Sequence, residues 1–216
     1  MKPDWNELGR RAEERYADGE RRLPGSGDAR QRQLTRMGNA AGAAGLAALM
    51  AGNDGRLWFA RAAERYRESF DGAPPGSWGR PIGAIKARIL AGDWDGAAAE
   101  ARWTLELGAG ETVSPIGRYA AALAHLVLGE WGHARTHADF ARTHDGFPAD
   151  VGDALATISA EDVLGYVEAV ERVLSSFERR TEYLEEMPVA DTVLVLQALA
   201  ARRRMAAELE SPLLPG

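Results

Sequence analysis

Hydrophobic positions along this chain recur at helical spacing. The clearest case is Val163, Tyr166, Val167, Val170, Val173, Leu174 and Phe177, at i, i+3, i+4, i+7, i+10, i+11 and i+14. That spacing gathers the apolar side chains on one stripe and predicts an amphipathic helix over 163–177. Ser159, with Asp162 three residues on, matches a capping box and predicts the helix start. The next segment, 189–201, is apolar nearly all round and predicts a buried helix opened by Pro188 and Asp191. Its Val193-Leu194-Val195-Leu196 run has strand character, but the alanine-rich continuation favours helix.

The same reading yields eight earlier helices. Asp4 with Glu7 opens one that runs to about Arg22, and Asp28 opens a second that ends near Gly52. A third covers 56–70, before the Gly72-Ala-Pro-Pro-Gly-Ser77 breaker. A fourth precedes Gly92, and a fifth follows it to Leu107. A sixth runs from Ser114-Pro115, the cap and first turn, to Leu128. A seventh follows Gly129 to about Thr143, and a short eighth follows Pro148. No succession of strands is found. In the second helix Gly38, Gly42 and Gly45 lie at i, i+4 and i+7, a small-residue face that lets another backbone approach closely.

Composition bounds the class. A chain of 216 residues with 45% hydrophobic and 27% charged residues is globular. It is read as a single all-helical domain, 1–216, with N-terminal helices over 1–76, a central part over 77–144 and C-terminal helices over 145–216. With no cysteine, disulfides, thiol catalysis and cysteine zinc sites are excluded. A net charge of −6 disfavours a nucleic-acid binder. Arg202-Arg203-Arg204 points three ways on a helix and reads as solvated surface. Residues 1–11 are polar, unlike a signal peptide, and the weakly apolar run 40–52 is too short to span a bilayer. The expectation is a cytoplasmic protein that binds neither nucleic acid nor membrane.

Self-similarity carries more information. Shifted by 37, residues 77–103 fall on 114–140 with identical pairs Ser77/Ser114, Ala84/Ala121, Ala87/Ala124, Gly92/Gly129, Trp94/Trp131, Ala97/Ala134 and Ala101/Ala138. Asp93/Glu130, Ile89/Leu126 and Trp103/Phe140 are similar. Gly92 and Gly129 suit a left-handed helix cap, and the acid after each suits the start of the next helix. Trp94, Ala97 and Ala101 share a face, the indole plugging the open end of a helix hairpin. A looser third copy begins at Gly52, with Ala60 and Ala63 on the helix that follows.

Gly92-Asp93-Trp94-Asp-Gly-Ala97 and Gly129-Glu130-Trp131-Gly-His-Ala134 resemble the turn and second helix of a tetratricopeptide (TPR) repeat. The family's Leu-Gly pair is missing, and Arg88 and His125 stand where its Tyr is expected. The resemblance implies a TPR-like helix-hairpin solenoid, or a compact α-α bundle, of about nine or ten helices. The C-terminal third is similar to the immunity protein 49 (Imm49) family, in Asp162, the 163–177 helix, Tyr183, the 189–201 helix and Glu210-Ser-Pro-Leu-Leu-Pro215. Those are all-helical proteins thought to neutralise toxins deployed between bacteria. Nothing in that pattern supplies toxin-contacting residues.

Two sets of residues carry candidate chemistry. His133, His137 and His144 lie within about 40° of each other around the seventh helix. A His-x3-His pair can hold a metal, so His133 and His137 are the metal candidates, although no Glu follows His133 as in a zinc protease. Both lie a quarter-turn off the Ala134–Ala138–Ala141 packing face, on a semi-exposed flank, and His125 lies on the preceding helix. Leu105-Glu-Leu-Gly-Ala-Gly110 resembles the first motif of class I methyltransferases, which cradles S-adenosylmethionine after a strand. Here the preceding run favours helix. No catalytic residue and no cofactor are assigned. The function expected is a non-enzymatic interaction protein whose partner is another protein or peptide. Toxin neutralisation in the Imm49 manner is the narrower alternative, and a metal- or S-adenosylmethionine-dependent enzyme is the competing class. Self-association into a homo-oligomer stays open.

Overall fold

The computed structural model describes residues 3–216. Among these it holds ten α-helices, one 3-10 turn and no strand. In order they are α1 (Trp5–Arg21), α2 (Gly27–Met50), α3 (Arg56–Glu68), α4 (Gly79–Leu90) and α5 (Trp94–Glu106). Then come α6 (Pro115–Leu128), α7 (Trp131–Arg142), α8 (Ala149–Ala160), α9 (Val163–Glu178), the 3-10 turn Leu184–Glu186, and α10 (Asp191–Ala201). The all-α expectation holds, and 193–196 is helix. No helix among the described residues is long and apolar enough to cross a membrane.

The start signals mostly act where the sequence puts them. The Asp4 carboxylate accepts from the Glu7 N–H at 3.1 Å, and the Ser114 hydroxyl from the Gly117 N–H at 3.4 Å. One differs. Ser159 lies inside α8, buried, its hydroxyl donating to the Leu155 carbonyl at 2.7 Å. Asp162 caps α9 alone, accepting from the Gly165 N–H at 3.0 Å. A buried serine one turn from a carbonyl satisfies itself locally and does not cap.

The chain gathers into two compact units. The first comprises Met1–Asp93, Thr181–Val189 and Glu210–Gly216; the second comprises Trp94–Arg180 and Ala190–Leu209. In the first, α1 packs on α2, α2 on α3 and α3 on α4. Tyr16, Met37 and Phe59 form its core with alanines of α2, α3 and α4. The glycine face of α2 receives rings. A Cβ at Gly38 would stand 2.9 Å from the Tyr66 ring, and one at Gly45 would stand 2.7 Å from Phe59. Gly83 of α4 presses the other side of Tyr66, whereas nothing lies within 4 Å of a Cβ at Gly42. Backbone does come close at one point, because a Cβ at Gly55 would meet the Gly45 carbonyl at 2.6 Å. In the second unit α5 to α9 form a row, each helix packed on its chain neighbours, with α10 against α8 and α9. Leu123, Leu155, Ile158, Tyr166 and Leu196 are fully buried there.

One turn design recurs. α2, α4, α6, α8 and α10 all end in a left-handed residue: Gly52 (φ 74°), Gly92 (69°), Gly129 (77°), Glu161 (59°) and Arg204 (59°). In each case the next N–H reaches back five residues to a carbonyl. The pairs are Asn53 to Ala48, Asp93 to Arg88, Glu130 to His125, Asp162 to Thr157 and Met205 to Ala200, all between 2.8 and 3.0 Å. This bond satisfies carbonyls that a helix end would otherwise leave open. The copies foreseen at Gly52, Gly92 and Gly129 are present as turns. Those at Glu161 and Arg204 carry no glycine.

Candidate functional site

The chemistry-bearing side chains of the second unit concentrate between α6 and α7. His125 projects from α6; His133 and His137 project from α7, and His144, expected on that helix, lies two residues beyond its end. The ring of His125 stacks on His133 (centroids 5.1 Å, planes 29° apart) and on His137 (5.2 Å, 7°). Below them the Arg118 guanidinium donates from Nη1 to His137 Nδ1 at 3.2 Å. It also lies 4.6 Å over the Phe140 ring, which stacks at 4.0 Å on His144. His133, His125, His137, Arg118, Phe140 and His144 thus form a continuous column. It needs α6 and α7 antiparallel, so that turns advancing up one helix meet turns descending the other.

Two hydrogen bonds fix the tautomers. A carboxylate only accepts, so His125 donates from Nδ1 to Glu130 Oε2, 2.6 Å away. A guanidinium only donates, so His137 accepts at Nδ1 and carries its proton on Nε2. That nitrogen faces the loop before α6, where a Cβ on Gly110 would lie 3.3 Å from it. His137 is buried, and burial first, then the charges of His125, Arg118 and His133, hold its pKa down to about 4. It is neutral at pH 7. Arg118 is held in turn by the Thr112 carbonyl, 2.7 Å from its Nε.

A metal ligand must point its lone pair along the ring plane at an ion about 2.1 Å away. The nearly parallel planes of His125 and His137 share no such point, and both Nδ1 atoms are engaged. No group of three or more such ligands among the described residues is arranged to hold an ion. His133 is exposed, on the flank expected, but His137 is buried beneath it.

The repeat residues occupy matching settings. Ala97 and Ala134 are fully buried on the packing faces of α5 and α7. Arg88 donates to Asp93 at 3.1 Å and His125 to Glu130, the same two positions 37 residues apart. The two indoles, half-buried at the first residues of α5 and α7, are not deep plugs. Each lies under a guanidinium, Arg202 over Trp94 at 4.5 Å and Arg203 over Trp131 at 4.4 Å. Arg202 and Arg203 are therefore packed against the indoles, while Arg204 is exposed as expected. Arg202 donates to the Val127 carbonyl at 2.8 Å, and Arg203 donates to Ser159 O at 2.9 Å and pairs with Glu161 at 2.6 Å. Leu105 and Glu106 of the glycine motif lie in α5, so no strand precedes Gly108.

Sequence reasoning missed Arg118, Phe140 and the place of Gly110. Arg118 and His125, two turns apart on one helix face, gave a usable signal for the first. Compared with family models, curated proteins and solved structures, the chain has no match.

Proposed function

We propose that this chain is a non-enzymatic helical-repeat protein that binds another protein. The observation that carries the reading is the recurring turn. The turns of α2–α3, α4–α5, α6–α7 and α8–α9 share a left-handed residue, glycine in the first three and Glu161 in the last, and the same five-residue back-bond. Proteins built by repeating one helix pair present extended surfaces, and those surfaces serve recognition. Exposed apolar side chains beside two of these connections, Leu57 (63%) at the start of α3 and Leu164 (78%) at the start of α9, suit that use. The likeness of the central turns to TPR repeats agrees with it. The likeness of the C-terminal third to Imm49 supports toxin neutralisation as a narrower alternative, which co-expression rescue of cells from the toxin tests.

The competing enzyme class has a direct test. On this reading zinc, nickel and S-adenosylmethionine leave the melting temperature unchanged, because a ligand stabilises only what it binds. A metal-dependent rise that disappears in His137→Ala would turn the reading toward a metal site.

A further inference from the structure

The first unit carries a groove whose charge runs against that of the whole chain. It has a volume of about 770 Å³ and lies between α1, α2 and the 3-10 turn Leu184–Glu186. Along α1 its lining falls at 11, 14, 15, 18, 21 and 22, one helical stripe; on α2 it falls at 33, 36 and 40. Arg11, Arg15, Arg21, Arg22 and Arg36 set five guanidiniums in it, against the carboxylates of Glu14, Asp18 and Glu185. The neutralisation is incomplete. Asp18 serves both Arg21 (3.1 Å) and Arg22 (3.2 Å), Arg11 is paired with Glu7 at 2.7 Å outside the lining, and Glu14 is drawn to Arg10, also outside it. Arg36 donates to the neutral Gln33 amide at 3.0 Å and has no carboxylate partner among the described residues.

One carboxylate is delivered into this groove by an unusual backbone. Glu185 (φ 55°) and Glu186 (56°) are consecutive non-glycine residues in the left-handed region. Side chains other than glycine resist that conformation, so contacts must hold it. The contacts come from Arg15, whose Nε lies 2.9 Å from the Glu185 carboxylate and whose Nη2 donates to the Glu185 carbonyl at 3.4 Å.

We infer that this groove binds an acidic segment of the partner protein, with Glu185 as the internal occupant of one of its carboxylate positions; the inference rests on the interaction reading above. From residue 11 to residue 22 the α1 stripe is about 16 Å long. That suits about five residues of extended chain. Guanidiniums pair with carboxylates through two parallel hydrogen bonds, a geometry that discrete acidic side chains satisfy. The acids interleaved in the groove can accept from a peptide's N–H groups, donors that a phosphate backbone lacks.

The test uses fluorescence anisotropy on the full chain at low salt. The probes are fluorescein-labelled hexa-aspartate, hexa-asparagine and a twelve-nucleotide oligo-dT. Hexa-aspartate is expected to bind at least tenfold tighter than the other two. Affinity falls at least tenfold in Arg21→Ala/Arg36→Ala, whose side chains are exposed and whose fold is checked by circular dichroism. Glu185→Gln, which weakens the internal competitor, binds hexa-aspartate more tightly than the wild type. Equal binding by the double variant, tighter binding of oligo-dT, or no binding of hexa-aspartate by either wild type or Glu185→Gln overturns the proposal. If the peptide fails while a partner protein is still captured, the groove is retired and the interaction reading stands. The opposite pair of results retires the reading and keeps the groove.

Discussion

At the scale of single residues, the histidine column is governed by which nitrogens are already occupied. His137 accepts from Arg118 at Nδ1 and faces Gly110 with Nε2, so a further proton would have to displace a cation from a buried ring. Its pKa lies near 4, against about 6.5 when the chain is unfolded. Between those values the unfolded chain takes up a proton that the folded chain refuses. Stability from this group therefore falls as pH drops from 6.5 to 4 and is level outside that window. The full gap corresponds to at most about 3 kcal/mol, reduced where water enters beside exposed His133. Urea unfolding of wild type and His137→Gln at pH 7 and pH 4.5 checks this. The wild type is expected to lose about 1–3 kcal/mol more than the variant on acidification. The carboxylates shared by both proteins cancel in the difference, so parallel losses would show that His137 is not held neutral.

Among the helices, the turn after each even-numbered helix does two jobs: it closes the carbonyls of one helix and starts the next, or begins the tail. Where the left-handed residue is glycine the conformation costs little; at Glu161 and Arg204 a side chain resists it by about 1 kcal/mol. Arg204→Gly should therefore leave stability unchanged or raise it by up to about 1 kcal/mol. Its neighbour behaves oppositely. Arg203 bonds the carbonyls at the end of α8, pairs with Glu161 and covers Trp131. Arg203→Ala is expected to cost about 2 kcal/mol, the scale of a charged hydrogen-bond donor removed from part-buried acceptors. Arg203→Lys should recover less than half, because an ammonium lacks the planar fork that bonds and stacks together. Urea denaturation of the three variants separates the cases, and equal costs at 203 and 204 would contradict the assignment.

The turns also show what a sequence exposes. Asp4, Ser114, Gly92 and Gly129 act within three to five residues of themselves, so local spacing announces them. The turn at Glu161 was hidden because neither glycine nor tryptophan marks it, and Ser159 three residues before Asp162 imitates a cap that forms elsewhere. Arg202 over Trp94 joins residues 108 apart in sequence, and His125 on His137 joins two helices. Such contacts depend on how helices are set against each other, which helical periodicity does not encode. His133 was placed correctly on its flank, and His137, one turn along, was not, because the buried side of the flank is set by α6.

At the scale of the whole chain, the same turn follows α2, α4, α6 and α8, and the polar chemistry gathers in two places: a column that engages its own histidines and a groove left with surplus positive charge. The column uses its donors and acceptors internally. The groove and the exposed apolar residues Leu57 and Leu164 are open to solvent. The most direct test is capture from native lysate on the immobilised full chain, quantified by mass spectrometry against bare resin. The account predicts one polypeptide retained in near-stoichiometric amount through repeated washing. Eluates indistinguishable from those of bare resin would contradict it.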